Sequence, residues 1–244
     1  MDFFGKKTEK PDFILIGGDI GEADNVHKYL KKMGKFFKCP VLVVCGNHDF
    51  YNSSIDFVTQ KIIKAIEPYD NLIWLDQVPY VEITPTCAVI GHSGWSDGRY
   101  GDYFNSNVDL SDYHCIADLM VISKSDRLKV LQELAAKAAE HIKNSLEAVF
   151  PKYETVYLLT HVPPWREAAV NAGKMSDDDW APHFSSKIMG DTIEEFMKDC
   201  KGQLIVLCGH SHGFGDIQIF PNVRCITGDA RYEHPKVNGI FKIK

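Results

Sequence analysis

Seven side chains able to bind a metal or move a proton stand close behind apolar runs of this chain: Asp19, Asn47, His48, Asp49, His161, His210 and His212. Ile14-Leu15-Ile16 leads into Gly17-Gly18-Asp19, and Val43-Val44-Cys45 into Gly46-Asn47-His48-Asp49. Val156-Tyr157-Leu158-Leu159 leads into Thr160-His161, and Leu204-Ile205-Val206-Leu207-Cys208 into Gly209-His210-Ser211-His212. Together these residues offer carboxylate and amide oxygens and imidazole nitrogens. That mixture suits manganese, iron or zinc better than calcium, which prefers oxygen alone. A carboxylate such as Asp19 can bridge two cations, and two cations about 3.5–4 Å apart can pin a hydroxide and clamp a phosphoryl group. One polar strand ending means little, because many buried strands end in a polar turn. Four that converge make a site.

Convergence requires the four runs to be strands of one architecture. Asp12–Asp19, Val41–Cys45, Thr155–Thr160 and Leu204–Cys208 have the length and β-branched content of strands, with their polar residues at the C-terminal ends. Open α/β sheets place ligand sites there. Between the first two runs, Val26, Tyr29, Leu30, Met33 and Phe37 recur at helical spacing from about Asn25, and Cys39-Pro40 stops the pattern. Strand, helix and strand with short links read as a βαβ unit with a parallel strand pair. A second helix is expected over Ile55–Glu67, with Ser53 or Ser54 as its cap.

The pattern then changes. Leu72–Leu75, Tyr80–Ile83 and Cys87–Gly91 read as a meander of short strands. From Ser93 to about Ser125 periodicity weakens, while Trp95, Tyr100, Tyr103, Phe104, Tyr113 and His114 stand among small polar residues. A long irregular segment in a compact domain is often functional. The longest helical pattern is Asp126–Phe150; a short one opens at Asp191 or Thr192 and runs to Cys200. Asp216–Phe220, Arg224–Thr227 and Gly239–Ile243 read as terminal strands, and Asp177-Asp178-Asp179 as a solvated loop. No repeat or linker divides the sequence, so one α/β domain over 1–244 with mixed parallel and antiparallel sheets is expected.

Composition narrows the function classes. A net charge of -6 gives no general attraction to nucleic acid or anionic membrane, and no basic aromatic stripe suggests a nucleic-acid surface. No apolar stretch approaches the roughly 20 residues that span a bilayer. Met1–Lys7 lacks the apolar core of a signal peptide. Seven cysteines without a CxxC pair suit free thiols in a reducing compartment, so a cytoplasmic location is expected.

The ordered motifs resemble those of the calcineurin-like metallophosphoesterases, along nearly the whole chain. Gly18-Asp19-Ile20-Gly21 looks like the second family motif, Gly46-Asn47-His48-Asp49 the third, Thr160-His161 the fourth and Gly209-His210-Ser211-His212 the fifth. The resemblance implies a four-layer α/β/β/α sandwich and a metal-dependent phosphoester hydrolase, either phosphatase or phosphodiesterase, using a metal-activated hydroxide. Asp19 would bridge two divalent ions, manganese or iron and zinc. Asn47, His161 and His210 would complete one site, and His212 would join the other. His48 would be the general acid, with Asp49 orienting its imidazole.

One departure stands out. The family's first motif, Asp-x-His at the end of an N-terminal strand, is absent, because only seventeen residues precede Gly18. The expectation is therefore a chain that starts just after that motif, lacks the first strand and holds one metal site incompletely. The Asp12–Asp19 strand would then present a free edge open to self-association. A metal-deficient scaffold working through protein contacts is the competing class. His92 and Trp95, in Gly91-His92-Ser93-Gly94-Trp95, are candidates for substrate contact; their alternatives are a structural histidine and a core anchor. Ser111-Asp112-Tyr113 looks like an Asn-Asp-Tyr segment of some relatives and has no assigned role.

Overall fold

A computed structural model describes residues 10–120, 123–232 and 234–243. The expectation of a missing first strand falls on residues 1–9, which lie outside the described residues. In chain order the elements are β1 (Ile14–Gly17), α1 (Val26–Phe36), β2 (Val41–Val44), α2 (Ile55–Ile66), β3 (Leu72–Trp74), β4 (Val81–Thr84), β5 (Cys87–His92), α3 (Asp112–Cys115) and α4 (Lys124–Val149). Then follow β6 (Thr155–Thr160), β7 (Val170–Asn171), β8 (Lys174–Met175), α5 (Ala181–Phe184), α6 (Lys187–Met197), β9 (Gln203–Cys208), β10 (Gly215–Phe220) and β11 (Val223–Thr227).

The strands form two stacked sheets and a small β7–β8 ribbon. In the smaller sheet β1, β2 and β3 run parallel in that order. In the larger, β11, β9, β6 and β5 are parallel, flanked by antiparallel β10 and β4 at the edges.

Side-chain alternation along β2 sets the layers. Val41 and Val43 point toward Val26 and Leu30 of α1 and Val58 and Ile62 of α2. Leu42 and Val44 point the other way, against Val89, Tyr157 and Leu159 of the larger sheet. The far face of that sheet, with Ala88, Ile90, Val156, Leu158 and Val206, is covered by Ala138, Ile142 and Leu146 of α4 and by Met189 and Ile193 of α6. The result is the mixed-sheet α/β/β/α sandwich.

Three local expectations are corrected. Leu72–Leu75 does not join a meander: Leu72–Trp74 is β3, parallel to β2, and the chain crosses to the larger sheet before β4. Helix α6 begins at Lys187 rather than Asp191, because the Asp97 carboxylate accepts the free N–H groups of Lys187 (3.1 Å) and Ile188 (2.7 Å). Its end at Met197 is held by Asn222, whose amide donates to the carbonyls of Met197 and Cys200. Both caps are remote in sequence. Gly239–Ile243 forms no strand; Phe241 instead packs edge-on to Tyr157, and Ile243 leans on the core between the sheets. Among the described residues β1 pairs only with β2 and is half-buried along its length.

Candidate metal centre

The parallel registers bring the strand ends level: Gly17 lies opposite Val44, and Leu159 opposite Leu207. The chain then turns sharply at each end. Asp19, His210 and His212 are non-glycine residues in the left-handed region, with φ of 52°, 65° and 63°. Such conformations cost energy in L residues and persist where surrounding structure enforces them, commonly at functional sites. Two glycines let the turns meet. A Cβ on Gly18 (φ 95°) would lie 2.6 Å from the Gly46 nitrogen and from His161 Nδ1. One on Gly46 would lie 2.5 Å from the Asp19 nitrogen and overlap the Asp19 carboxylate.

Four side-chain acceptors converge in this space. His161 Nδ1 is 2.7 Å from the Gly17 carbonyl and must donate to it, which leaves Nε2 with a lone pair. That Nε2 lies 3.0 Å from Asn47 Oδ1 and 3.4 Å from Asp19 Oδ1. His210 Nε2 donates to the His183 carbonyl at 3.2 Å, so its Nδ1 also carries a lone pair, 3.0 Å from Asn47 Oδ1. Asn47 gives its amide hydrogens away, to Asp112 Oδ1 at 2.7 Å, and turns its oxygen to both imidazoles.

A neutral His210 in this tautomer sets its Nδ1 lone pair against Asn47 Oδ1. A cation resolves the conflict. Atoms bound at about 2.1 Å and a right angle to one ion sit roughly 3.0 Å apart, which matches these spacings. Among the described residues no group of three His, Cys, Asp or Glu side chains is arranged to hold a metal ion. The convergence depends on the amide oxygen of Asn47, a donor outside those four types.

Burial raises the Asp19 carboxyl, but His161, His48 and His210 outweigh it and hold the group below the usual carboxylate range. Burial, with His161 beside it, pushes His210 down to about 3, so it is neutral at ordinary pH. Burial also lowers His212. A neutral His210 beside an ionised Asp19 is primed to take a cation.

His48 and His212 stand at the rim. The His48 N–H donates to Asp19 Oδ1 at 3.2 Å, while its ring stacks on Tyr51 with centroids 4.3 Å apart and Nε2 3.5 Å from the Tyr51 hydroxyl. That hydroxyl donates to Asp112 Oδ1 at 2.6 Å. Tyr232 lies over both histidines, 5.5 Å from the His48 ring and 4.9 Å from the His212 ring.

Three expected roles meet a different geometry. Asp49 is fully buried and takes the backbone N–H groups of Gly21 (2.7 Å) and Gly46 (2.8 Å), so it braces the first two turns instead of orienting the His48 ring. His92 turns toward α4: its Nδ1 accepts the Gly94 N–H at 3.0 Å, lies 3.6 Å from Asp76, and its ring is 5.2 Å from His141. Trp95 is a core residue against Phe50, on the α1–α2 side.

Residue typing by strand endings missed Tyr51, Asp112, His183 and Tyr232, which sit in turns and short helices. Only Asp112 had a signal, in Ser111-Asp112-Tyr113.

The model of the calcineurin-like phosphoesterases matches residues 1–214. The chain belongs to this family. Solved structures of similar shape include a dimetal phosphatase from Danio rerio, at 13% identity over 91% of this chain and 88% of that one, with a TM-score of 0.45. Another is GAP50, the anchor in the inner membrane complex of Plasmodium, at 10% identity over 94% and 76%, TM-score 0.38. A third is a 5'-nucleotidase from Candida albicans, at 9% identity over 82% of this chain and 32% of that one, TM-score 0.35. No curated protein matches the chain. Family membership supports metal-dependent phosphoester hydrolysis as the general chemistry and divalent cations as its cofactors.

Proposed function

We propose that the protein, as one domain over residues 1–244, hydrolyses phosphoesters with a divalent cation held by Asp19, Asn47, His161 and His210. The observation that carries this reading is the convergence of four atoms able to hold a cation, His161 Nε2, His210 Nδ1, Asn47 Oδ1 and Asp19 Oδ1, with neighbours 3.0–3.4 Å apart. When bound, such a cation supplies Lewis acidity, activating water and neutralising phosphoryl charge. The ligand chemistry fits manganese, or iron and zinc.

The remaining steps belong to the chain's own residues. His48, at the rim, is the proton donor to the departing oxygen. Tyr51 supports it: stacking fixes the ring plane, and the hydroxyl, itself tied to Asp112, holds the edge that carries Nε2. Asp49 keeps the turns of Asp19 and Asn47 in contact through Gly21 and Gly46. His212 is the start of a second cation site shared with Asp19. All seven cysteines are free, in keeping with a reducing, cytoplasmic setting, and among the described residues no helix is long and apolar enough to cross a membrane.

Hydrolysis of phenyl phosphate and of a phosphodiester analogue, with and without manganese, tests the proposal. Manganese-stimulated turnover is expected, with its loss in Asp19→Ala and His48→Ala. Full activity in both variants overturns it. A second reading, a binding scaffold on a phosphoesterase fold, is favoured by one observation: among the described residues no third His, Cys, Asp or Glu completes a metal-holding group with Asp19 and His212. Absence of manganese binding by the wild-type chain would select it.

A further inference from the structure

We infer that Asp112 and Tyr113, neighbours at the start of α3, are paired positioning residues that hold Asn47 and His210 in their cation-facing orientations. The inference rests on the ligand set proposed above and gives a role to the Ser111-Asp112-Tyr113 segment.

Asp112 acts on Asn47. An asparagine amide presents oxygen or NH2 with nearly the same shape, and only the oxygen can hold a cation. Asp112 Oδ1 takes the Asn47 Nδ2 hydrogen at 2.7 Å and the Tyr51 hydroxyl at 2.6 Å. A flipped amide would aim oxygen at carboxylate and NH2 at His161 and His210. The buried carboxylate therefore selects the orientation that exposes Oδ1 to the site.

Tyr113 acts on His210 through His183. The Tyr113 hydroxyl hydrogen-bonds His183 Nδ1, and His183 Nε2 pairs with Ser106 Oγ at 3.0 Å, so the ring is pinned at both nitrogens. The His183 carbonyl then takes His210 Nε2 at 3.2 Å and fixes the tautomer that turns Nδ1 inward. The Arg127 guanidinium lies 4.1 Å over the Tyr113 ring and steadies it from the other side.

The strap that carries both residues is tied to the turn after His48. The Asn52 N–H donates to the Cys115 carbonyl at 2.6 Å and the Ala117 N–H to the Ser53 carbonyl at 3.0 Å. Asp118 Oδ2 accepts the Ile55 N–H at 2.8 Å. Adjacent residues on one rigid strap thus reach two ligands from strands of different sheets.

Two measurements on the full chain test this. In the metal-free protein the side-chain amide NMR signals of Asn47 report the Asp112 bond directly; in Asp112→Ala they are expected to move to solvent-like shifts and exchange. Manganese affinity by calorimetry is expected to fall about 10- to 100-fold in Asp112→Ala, as for loss of an outer partner of a metal ligand. Asp112→Asn, which keeps an acceptor oxygen, is expected to restore most of it. Tyr113→Phe removes one oxygen and is expected to weaken binding about threefold to tenfold. Undiminished affinity in Asp112→Ala, or unchanged Asn47 signals, overturns the inference. If Asp112→Ala fails to fold, undiminished affinity in Tyr113→Phe overturns the pairing. A wild-type chain that binds no manganese defeats the proposed function instead, and the Asn47 signals still decide the orientation claim.

Discussion

His161 Nδ1 donates to the carbonyl of Gly17 at 2.7 Å, across 144 positions of sequence. The bond joins a side chain from the end of β6, in the larger sheet, to the last residue of β1, in the smaller one. It fixes which imidazole nitrogen is free, and so makes the ligand character of His161 depend on the neighbouring sheet. The expectations below rest on that kind of remote support.

The proton-donor role of His48 predicts a dependence on the leaving group. General-acid catalysis contributes about 10²–10⁴-fold, and it matters least for leaving groups that depart unaided. His48→Ala should therefore lose far more kcat on an alkyl or phenyl ester than on p-nitrophenyl phosphate. An equal loss across the series, from steady-state kinetics, would remove His48 from proton transfer.

Gly46→Ala should abolish manganese binding. The added methyl would collide with the Asp19 carboxylate and the Asp19 main-chain nitrogen, both held by the turn. Overpacking of this kind costs about 1–3 kcal/mol. Calorimetry with manganese and urea unfolding of the metal-free variant measure the two effects separately. Wild-type affinity would mean the turns yield more easily than their contacts suggest.

Trp95 is expected to matter for stability and not for substrate. The residue is 7% exposed, and its ring is tilted against Phe50 at 5.8 Å. Trp95→Ala should cost about 3–5 kcal/mol in urea unfolding. Trp95→Phe and His92→Gln should both leave KM unchanged; a large rise in KM for either would return it to the substrate surface.

Acid should weaken the fold through His183. Burial, with Lys124 and Arg127 nearby, pushes its imidazole down to about 4, against about 6.5 in the unfolded chain. Between these values the unfolded chain binds the extra proton, so stability rises with pH across the window and is lost as pH falls through it, by up to about 1 kcal/mol per unit. His210 shifts in the same sense, to about 3, and Asp49 in the opposite one, raised to about 8 by burial and Asp19. Comparison of wild type with His183→Gln cancels both. The variant should show a flatter dependence of unfolding free energy between pH 6.5 and 4, and an unchanged slope would contradict the assignment.

The sheet framework was legible because strands buried on both faces, such as β2 with Val41–Val44, must be short apolar runs, and their polar endings follow from the turn. That Asp19, Asn47, His161 and His210 come together could be read for that reason. The support around them could not. Asp49 looks like a partner for the adjacent His48, yet its carboxylate is consumed by Gly21 and Gly46 main chain. Asp97 caps α6 from 90 positions away, which no local pattern announces. His92 ends β5 level with Thr160, one position short of the place His161 takes after β6, and side-chain alternation turns it to the helix-covered face. Strand endings show where a residue stops, and only tertiary packing shows which face it serves.

The proposed ligand atoms come from two sheets packed through a mainly aliphatic layer, with Leu42 and Val44 against Val89 and Leu159. The centre therefore works as a gauge of how those layers are seated. A slip of even half an ångström along the seam changes every cross-sheet spacing in it while leaving each sheet's own hydrogen bonds intact. A molten form with full secondary structure should bind no cation, and cavity-forming substitutions such as Leu42→Ala, far from any ligand, should detune metal affinity before they unfold the chain.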